Sequence, residues 1–169
     1  MPAFALDDEQ LQVLLSQPPR LQWLEPDAVL PSEEMVTQYT ISETSLTPPS
    51  LWWIQSQYGG DLLSGWVAAP GTDGLPPHVD LVVNEAEWRT YNYWERYALV
   101  TLFGRVSQEF GYITRVFNEQ RPQPRALAAY LCEPLVATDE DPEVSGCQVY
   151  MDVAGLGISI DLEDQLRGF

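Results

Sequence analysis

The sequence contains no lysine, and all eight of its basic side chains are arginine. A Walker A loop needs a lysine to reach the β- and γ-phosphates of a nucleotide, so that kind of site is excluded. Schiff-base chemistry, including the attachment of pyridoxal phosphate, needs a lysine amine and is excluded too. The lysine with which a protein kinase holds its nucleotide is also missing.

Histidine and cysteine are almost as scarce. His78 is the single histidine, so a Ser–His–Asp or Cys–His arrangement would have to use it, and no Gly-x-Ser-x-Gly motif is present. Cys132 and Cys147 lack the spacing of zinc ligands. We expect them to be buried free thiols, with a position opposite each other in a hairpin as the alternative. This scarcity favours a non-enzymatic protein that needs no metal or cofactor.

Long apolar runs are absent as well. No stretch of 18 apolar residues occurs, so the sequence predicts no membrane-spanning helix. The first residues show neither the basic region nor the apolar core of a signal peptide, and we therefore expect a cytoplasmic protein. The 169 residues are enough for one domain. We predict a single domain, with a loop-rich segment at residues 1–47 and an α+β core at 48–169.

Acidic residues are abundant and unevenly distributed. The net charge is −17, made up of −10 in residues 1–80, +1 in residues 81–125 and −8 in residues 126–169. Such a surface repels the phosphates of nucleic acids and anionic membranes. It favours the binding of a protein partner with a basic surface or the binding of a metal ion. Alternatively, the negative charge only keeps the protein soluble.

The densest acidic cluster runs from Asp139 to Glu143. It does not match the EF-hand template, because Val144 and Tyr150 occupy the sixth and twelfth positions. We expect a solvated loop, and weak cation binding is the alternative.

One long helix is predicted from Asn84 to Gly111, a stretch with seven of the nineteen aromatic residues. Asn84 suits the N-cap, and Gly111 suits the left-handed residue after the last turn. Glu95 falls inside the apolar face of this helix, so we expect it to pair with Arg115 or to be an acid with a shifted pKa. The residues of that face are Trp88, Tyr91, Leu99, Leu102, Val106 and Phe110.

The opposite side of the same helix is also aromatic. It carries Tyr93, Trp94 and Tyr97, which must either be covered within the fold or receive a partner. A short helix at residues 51–58 adds Trp52 and Trp53, at least one of which could be exposed as a partner anchor.

Alternating apolar residues predict strands on both sides of the long helix. Two lie before it, at Leu62–Ala69 and His78–Val83, and their short loop predicts a hairpin. A second hairpin is predicted from residues 112–118 and Leu127–Cys132. Further strands are expected near Val36–Ser42, at Gln148–Val153 and at Ile158–Leu162. We therefore predict an α+β fold: a largely antiparallel sheet of about five strands packed on one long central helix, with short N-terminal helices.

Three segments together carry a resemblance: SLWWIQSQYGGDLLSGWVAAP, then HVDLVVNEAEW, then the run from Phe103 to Asn118. Over residues 50–118 the sequence resembles an uncharacterised family of small acidic cyanobacterial proteins. The resemblance carries no catalytic activity with it. It implies a role linked to the photosynthetic apparatus of a cyanobacterium, either in the cytosol or at the cytosolic face of thylakoids.

Three functions are compatible with these patterns. The first is a protein-binding or assembly protein that docks a basic partner through Trp52, Trp53, Tyr93, Trp94 and Tyr97. The second is a small enzyme or ligand-binding domain, with Glu95, His78 and Arg115 as polar groups of a pocket between the long helix and the sheet. The third is an acidic mimic of nucleic acid that blocks a basic protein, and the nearly neutral middle third of the chain argues against it.

Overall fold

In the part of the chain that the structure describes, six strands form one mixed sheet, in which the strand order follows the chain. The computed structural model describes residues 8–40, 56, 60–71, 75–133 and 146–151. The strands are β1 (Val36–Thr37), β2 (Leu63–Ala69), β3 (His78–Val83), β4 (Ile113–Asn118), β5 (Ala126–Glu133) and β6 (Gly146–Met151). The helices are α1 (Asp8–Leu15), a 3₁₀ turn at Leu21–Leu24, α2 (Glu85–Thr90) and α3 (Tyr93–Glu109).

The α+β class is confirmed, but two details of the predicted sheet are wrong. The sheet has six strands instead of about five. It is also mixed, because α2 and α3 connect β3 to β4 and these two strands therefore run parallel. The other pairings are antiparallel and include both predicted hairpins. Of the short helix predicted at 51–58, only Ser56 lies within the described residues, and the strand predicted at Ile158–Leu162 lies outside them.

The two central strands, β3 and β4, are covered on both faces. All six residues of each strand are buried, as expected of parallel strands between two layers. On one face, Val79, Leu81 and Val83 belong to the apolar core that α2 and α3 complete. On the other face, Ile113 packs into a second core with residues of α1, among them Leu14. The sheet thus separates two cores, and His78, Asp80 and Arg115 belong to the α1 side.

The predicted long helix is interrupted at Tyr91 and Asn92. Asn84 caps α2, since its side chain accepts hydrogen bonds from the amides of Ala86 and Glu87 at 3.0 and 3.2 Å. Asn92 then caps α3 in a capping box: its side chain accepts from the Glu95 amide at 3.0 Å, and the Glu95 carboxylate accepts from the Asn92 amide at 2.7 Å. The second cap starts a new helix, so the side chains of α3 do not continue the angular positions that they would have on one unbroken helix with α2.

The predicted apolar face is confirmed for the buried Trp88 and Leu99 and for Tyr91, Leu102 and Val106, which pack against the same core, but it is wrong at two positions. Glu95 is exposed at the start of α3, where it satisfies a cap, and it does not pair with Arg115. Phe110, assigned to the buried face, is 46% exposed. The prediction for Gly111 is confirmed: it has φ +83°, and the amide of Tyr112 donates back to the Ser107 carbonyl, as in a Schellman motif. The buried residues of α3 are Leu99, Val100, Phe103, Gly104 and Ser107.

The two cysteines are joined. Cys132 of β5 and Cys147 of β6 lie directly opposite each other and form a disulfide with a Cα–Cα distance of 3.9 Å. The expectation of free thiols is therefore wrong, while the alternative position across a hairpin is confirmed. Within the described part of the chain, no helix combines the length and apolarity needed to cross a membrane.

A close approach of α3 to the sheet at Gly104 allows a test of this packing. A Cβ atom added to Gly104 of α3 would overlap the aromatic ring of Tyr130 on β5. The distance from this added atom to the Cβ atom of Tyr130 would be only 2.6 Å. We expect Gly104→Ala to lower the free energy of unfolding by about 1–3 kcal/mol, measured by urea denaturation, because the core would be overpacked. Gly146→Ala is the matched control, since a Cβ there meets nothing within 4 Å. Equal effects of the two substitutions would contradict the packing described.

Candidate functional site

Three polar side chains meet inside the protein, on the α1 side of the sheet: His78, Asp80 and Arg115, here called the polar triad. Asp80 and Arg115 lie opposite each other on the parallel strands β3 and β4. The guanidinium binds the carboxylate through two hydrogen bonds of 2.7 Å, from Nε to Oδ1 and from Nη2 to Oδ2. Both side chains are at most 2% exposed, so each charge depends on the other for its compensation.

Arg115 also connects the sheet to the N-terminal helix. Its Nη1 donates to the carbonyl oxygen of Leu14 at 2.6 Å, which satisfies a group that the last turn of α1 leaves open. Its guanidinium carbon lies 5.0 Å from the centre of the Phe117 ring, within range of a cation–π contact. One side chain therefore contacts β3, β4 and α1.

His78 lies beside this ion pair. Its Nδ1 is 2.9 Å from the carbonyl oxygen of Pro76, and its Nε2 is 3.7 Å from Oδ2 of Asp80. Burial lowers the pKa of His78 below the usual 6.5, an effect that the Asp80 carboxylate opposes and the Arg115 guanidinium reinforces. The imidazole is consequently neutral at neutral pH.

A partly open cavity of about 280 Å³ lies against the polar triad. Its walls come from the segment after α1, from the end of β2 and from the approach to β3, and they are mainly apolar. They include Pro18, Pro19, Trp23, Met35, Pro70 and Leu75. An apolar cavity with a few converging polar groups is the usual form of a small-molecule site.

Two of the three predicted pocket residues, His78 and Arg115, are brought together. The predicted location is wrong, because both side chains lie on the face of the sheet away from α3. Glu95 is wrong as a pocket residue, since it is exposed and caps α3. Asp80 was missed, although its position two residues after His78 puts both on one face of a strand.

Three of the predicted partner-binding residues form a second feature, the aromatic cluster of Tyr93, Trp94 and Tyr97. The Trp94 ring lies edge-on to both tyrosines, with centroid distances of 5.4 Å to Tyr93 and 6.2 Å to Tyr97. Trp94 is 61% exposed, while the tyrosines are half-buried. Trp52 and Trp53 lie outside the described residues.

No group of three potential metal ligands among His, Cys, Asp and Glu occurs in residues 8–40, 56, 60–71, 75–133 and 146–151. The acidic cluster from Asp139 to Glu143 lies outside these ranges, so its predicted solvated state and the alternative of weak cation binding stay predictions. In the described ranges, the polar triad and the cavity beside it form a candidate site for a ligand.

The importance of the buried ion pair can be measured against an exposed one. We expect Asp80→Asn to destabilise the protein by about 3–5 kcal/mol, because it leaves the Arg115 charge buried without compensation. Arg89→Ala removes the surface pair with Glu85, whose 2.7 Å contact involves a side chain that is 74% exposed, and should cost about 1 kcal/mol or less. Urea denaturation of both variants checks this, and similar losses would rule out the role given to the triad.

Comparisons with known proteins supply no independent indication of function. The chain matches no family model, no curated protein and no solved structure. The resemblance to a cyanobacterial family thus stays a prediction, and so does the photosynthetic role that it implies. Any function has to be argued from the geometry of the polar triad, the cavity and the aromatic cluster.

Proposed function

We propose that the protein is a binding domain for a small, largely apolar molecule, which enters the cavity beside the polar triad. The observation that carries this proposal is the convergence of three buried polar side chains on one apolar cavity. Ligand sites commonly have volumes of roughly 300–1,000 Å³. At about 280 Å³, this cavity suits a molecule the size of one substituted ring.

The rigidity of the site supports binding. His78, Asp80 and Arg115 lie on the two central strands, which are buried throughout. Asp80 and Arg115 hold each other through two hydrogen bonds, and the His78 ring is oriented by its contact with Pro76. A ligand would therefore meet polar groups that are already in place, and little affinity would be lost to ordering them.

The single histidine makes this proposal testable by NMR, because the Cε1–H signal of His78 reports on the cavity without overlap. Toluene, acetophenone and benzamide are suitable one-ring probes. We expect at least one of them to shift this signal in a saturable way, with a Kd of about 1 mM or lower. Ala69→Leu should weaken that binding, because Ala69 lines the cavity.

Ala98→Leu is the matched control, since it makes the same change on the exposed surface of α3. It should leave binding as in the unaltered protein. The proposal fails if none of the three probes shifts the His78 signal. It also fails if Ala69→Leu and Ala98→Leu bind the responding probe equally well.

The aromatic cluster supports a second candidate function, docking of a protein partner with a basic surface. Trp is the residue type most enriched among interface anchors, and Trp94 exposes 61% of its surface next to the exposed carboxylate of Glu95. The net charge of −17 favours a partner of the opposite sign. This second candidate corresponds to the accessory role expected from the sequence.

For this candidate, a partner would be isolated from native lysate of the source organism, purified and titrated against variants. We expect Trp94→Ala to weaken its binding by roughly 30-fold or more, as the loss of a hot spot does, and added salt to weaken it further. Phe110→Ala, at the other end of α3 and 46% exposed, is the control and should bind normally. Recovery of no partner, or equal affinity of the two variants, would count against docking.

A further inference from the structure

The tautomer of His78 follows from one contact. Nδ1 lies 2.9 Å from the carbonyl oxygen of Pro76, and a carbonyl oxygen can only accept a hydrogen bond. Nδ1 must therefore carry a hydrogen. In the neutral imidazole, the other nitrogen, Nε2, then has a lone pair and acts as an acceptor.

This lone pair faces a second acceptor. Nε2 lies 3.7 Å from Oδ2 of Asp80, which is longer than a hydrogen bond, and it has no other polar partner among the described residues. The His78 side chain is 8% exposed and that of Asp80 2%. Oδ2 already accepts a hydrogen from Nη2 of Arg115, but it has a further lone pair, so each of these two atoms can accept one more hydrogen bond. A group that donates two hydrogens would satisfy both.

The distance suits one bridging atom. A nitrogen about 2.9 Å from each of two acceptors fits easily between atoms separated by 3.7 Å. A hydroxyl group has only one hydrogen, whereas an NH₂ group has two and can donate to both. The geometry thus favours a nitrogen donor over an alcohol.

Charge decides which nitrogen group fits. The Asp80 carboxylate is already compensated by Arg115, and the third member of the triad, His78, is neutral. An ammonium group would lose its hydration on entering the cavity, and no uncompensated anion is there to make up for that loss. A carboxylate group would bring only hydrogen-bond acceptors to a place where donors are needed. A neutral carboxamide avoids both penalties.

Arg115 offers hydrogen-bond donors for the oxygen of such an amide. Asp80 and Leu14 accept from only three of the five N–H groups of its guanidinium, which leaves two as donors.

We propose that the cavity selects a primary carboxamide on a small apolar body, with its NH₂ group bridging Nε2 of His78 and Oδ2 of Asp80. This inference rests on the ligand-binding function proposed above and names the chemical class of the ligand. The apolar walls, with Trp23, Met35 and Leu75, receive the body of the molecule. Since an apolar cavity of about 150 Å³ can hold benzene, about 280 Å³ leaves room for a ring and its carboxamide.

Matched probes test this selectivity. Benzamide and acetophenone have the same ring and carbonyl, but a methyl group replaces the NH₂ in acetophenone, and benzoate replaces it with a charged oxygen. In titrations followed by calorimetry, we expect benzamide to bind at least about 10-fold more tightly than acetophenone, because acetophenone offers no hydrogen to either acceptor atom and still displaces their solvent. Benzoate should bind most weakly of the three.

Two substitutions of His78 separate the nitrogens. His78→Asn keeps a donor near the Nδ1 position but loses the Nε2 acceptor, so its preference for benzamide over acetophenone should disappear. His78→Gln places an amide oxygen near the Nε2 position, and it should keep most of the preference. Melting temperatures of both variants show whether they are folded.

A measurement on the unaltered protein keeps the inference testable even if a variant does not fold. Nitrogen-15 NMR of the single imidazole should show the hydrogen on Nδ1, and benzamide should shift the Nε2 resonance more than acetophenone does. A hydrogen on Nε2 in the free protein at neutral pH would overturn the inference. Equal binding of benzamide and acetophenone would also overturn it while leaving the ligand-binding function intact, whereas the failure of every probe would refute both.

Discussion

The buried guanidinium of Arg115 is the group on which the arrangement of the layers depends. Removing an unpaired charge from water costs several kcal/mol, so the fold must supply Asp80 at the right distance. That requirement fixes the register of β3 and β4, because a slip of one residue would move the Asp80 carboxylate to the other face of the sheet. The bond from Arg115 to Leu14 extends the same constraint to α1. The cavity lies next to the place where these elements are held together.

Much of the architecture could be predicted from local patterns. The alternation of apolar residues identified β2 to β5 closely, and Asn84 and Gly111 were correctly assigned as the first cap and the final stop of the helical region. The interruption at Asn92 was not predicted, because the apolar residues continue across it and only the pairing with Glu95 marks a new helix start. When residues 84–111 are projected as one continuous helix, a polar residue that caps a second helix cannot be distinguished from a polar residue on the solvent-exposed side.

The candidate site was predicted only in part, for a topological reason. His78 was singled out as the single histidine and Arg115 as the expected partner of Glu95, and these two residues do meet. The carboxylate partner of Arg115 was sought on the helix, whereas it lies on the neighbouring strand β3, and that pairing follows from the parallel alignment of β3 with β4. Parallel alignment depends on how the α2–α3 connection crosses the sheet, which strand-by-strand patterns do not reveal. Once the alignment is known, the two-residue spacing of His78 and Asp80 explains the triad.

The disulfide between Cys132 and Cys147 has a consequence for the integrity of the chain. The two cysteines are 15 positions apart and lie on β5 and β6, so they close a covalent ring that contains the whole acidic cluster from Asp139 to Glu143. A protease that cuts inside this ring leaves one molecule, with both pieces still attached. Release of the C-terminal piece then requires both reduction of the bond and dissociation of β6 from the sheet, so hydrolysis of the chain and separation of its pieces become two distinct events.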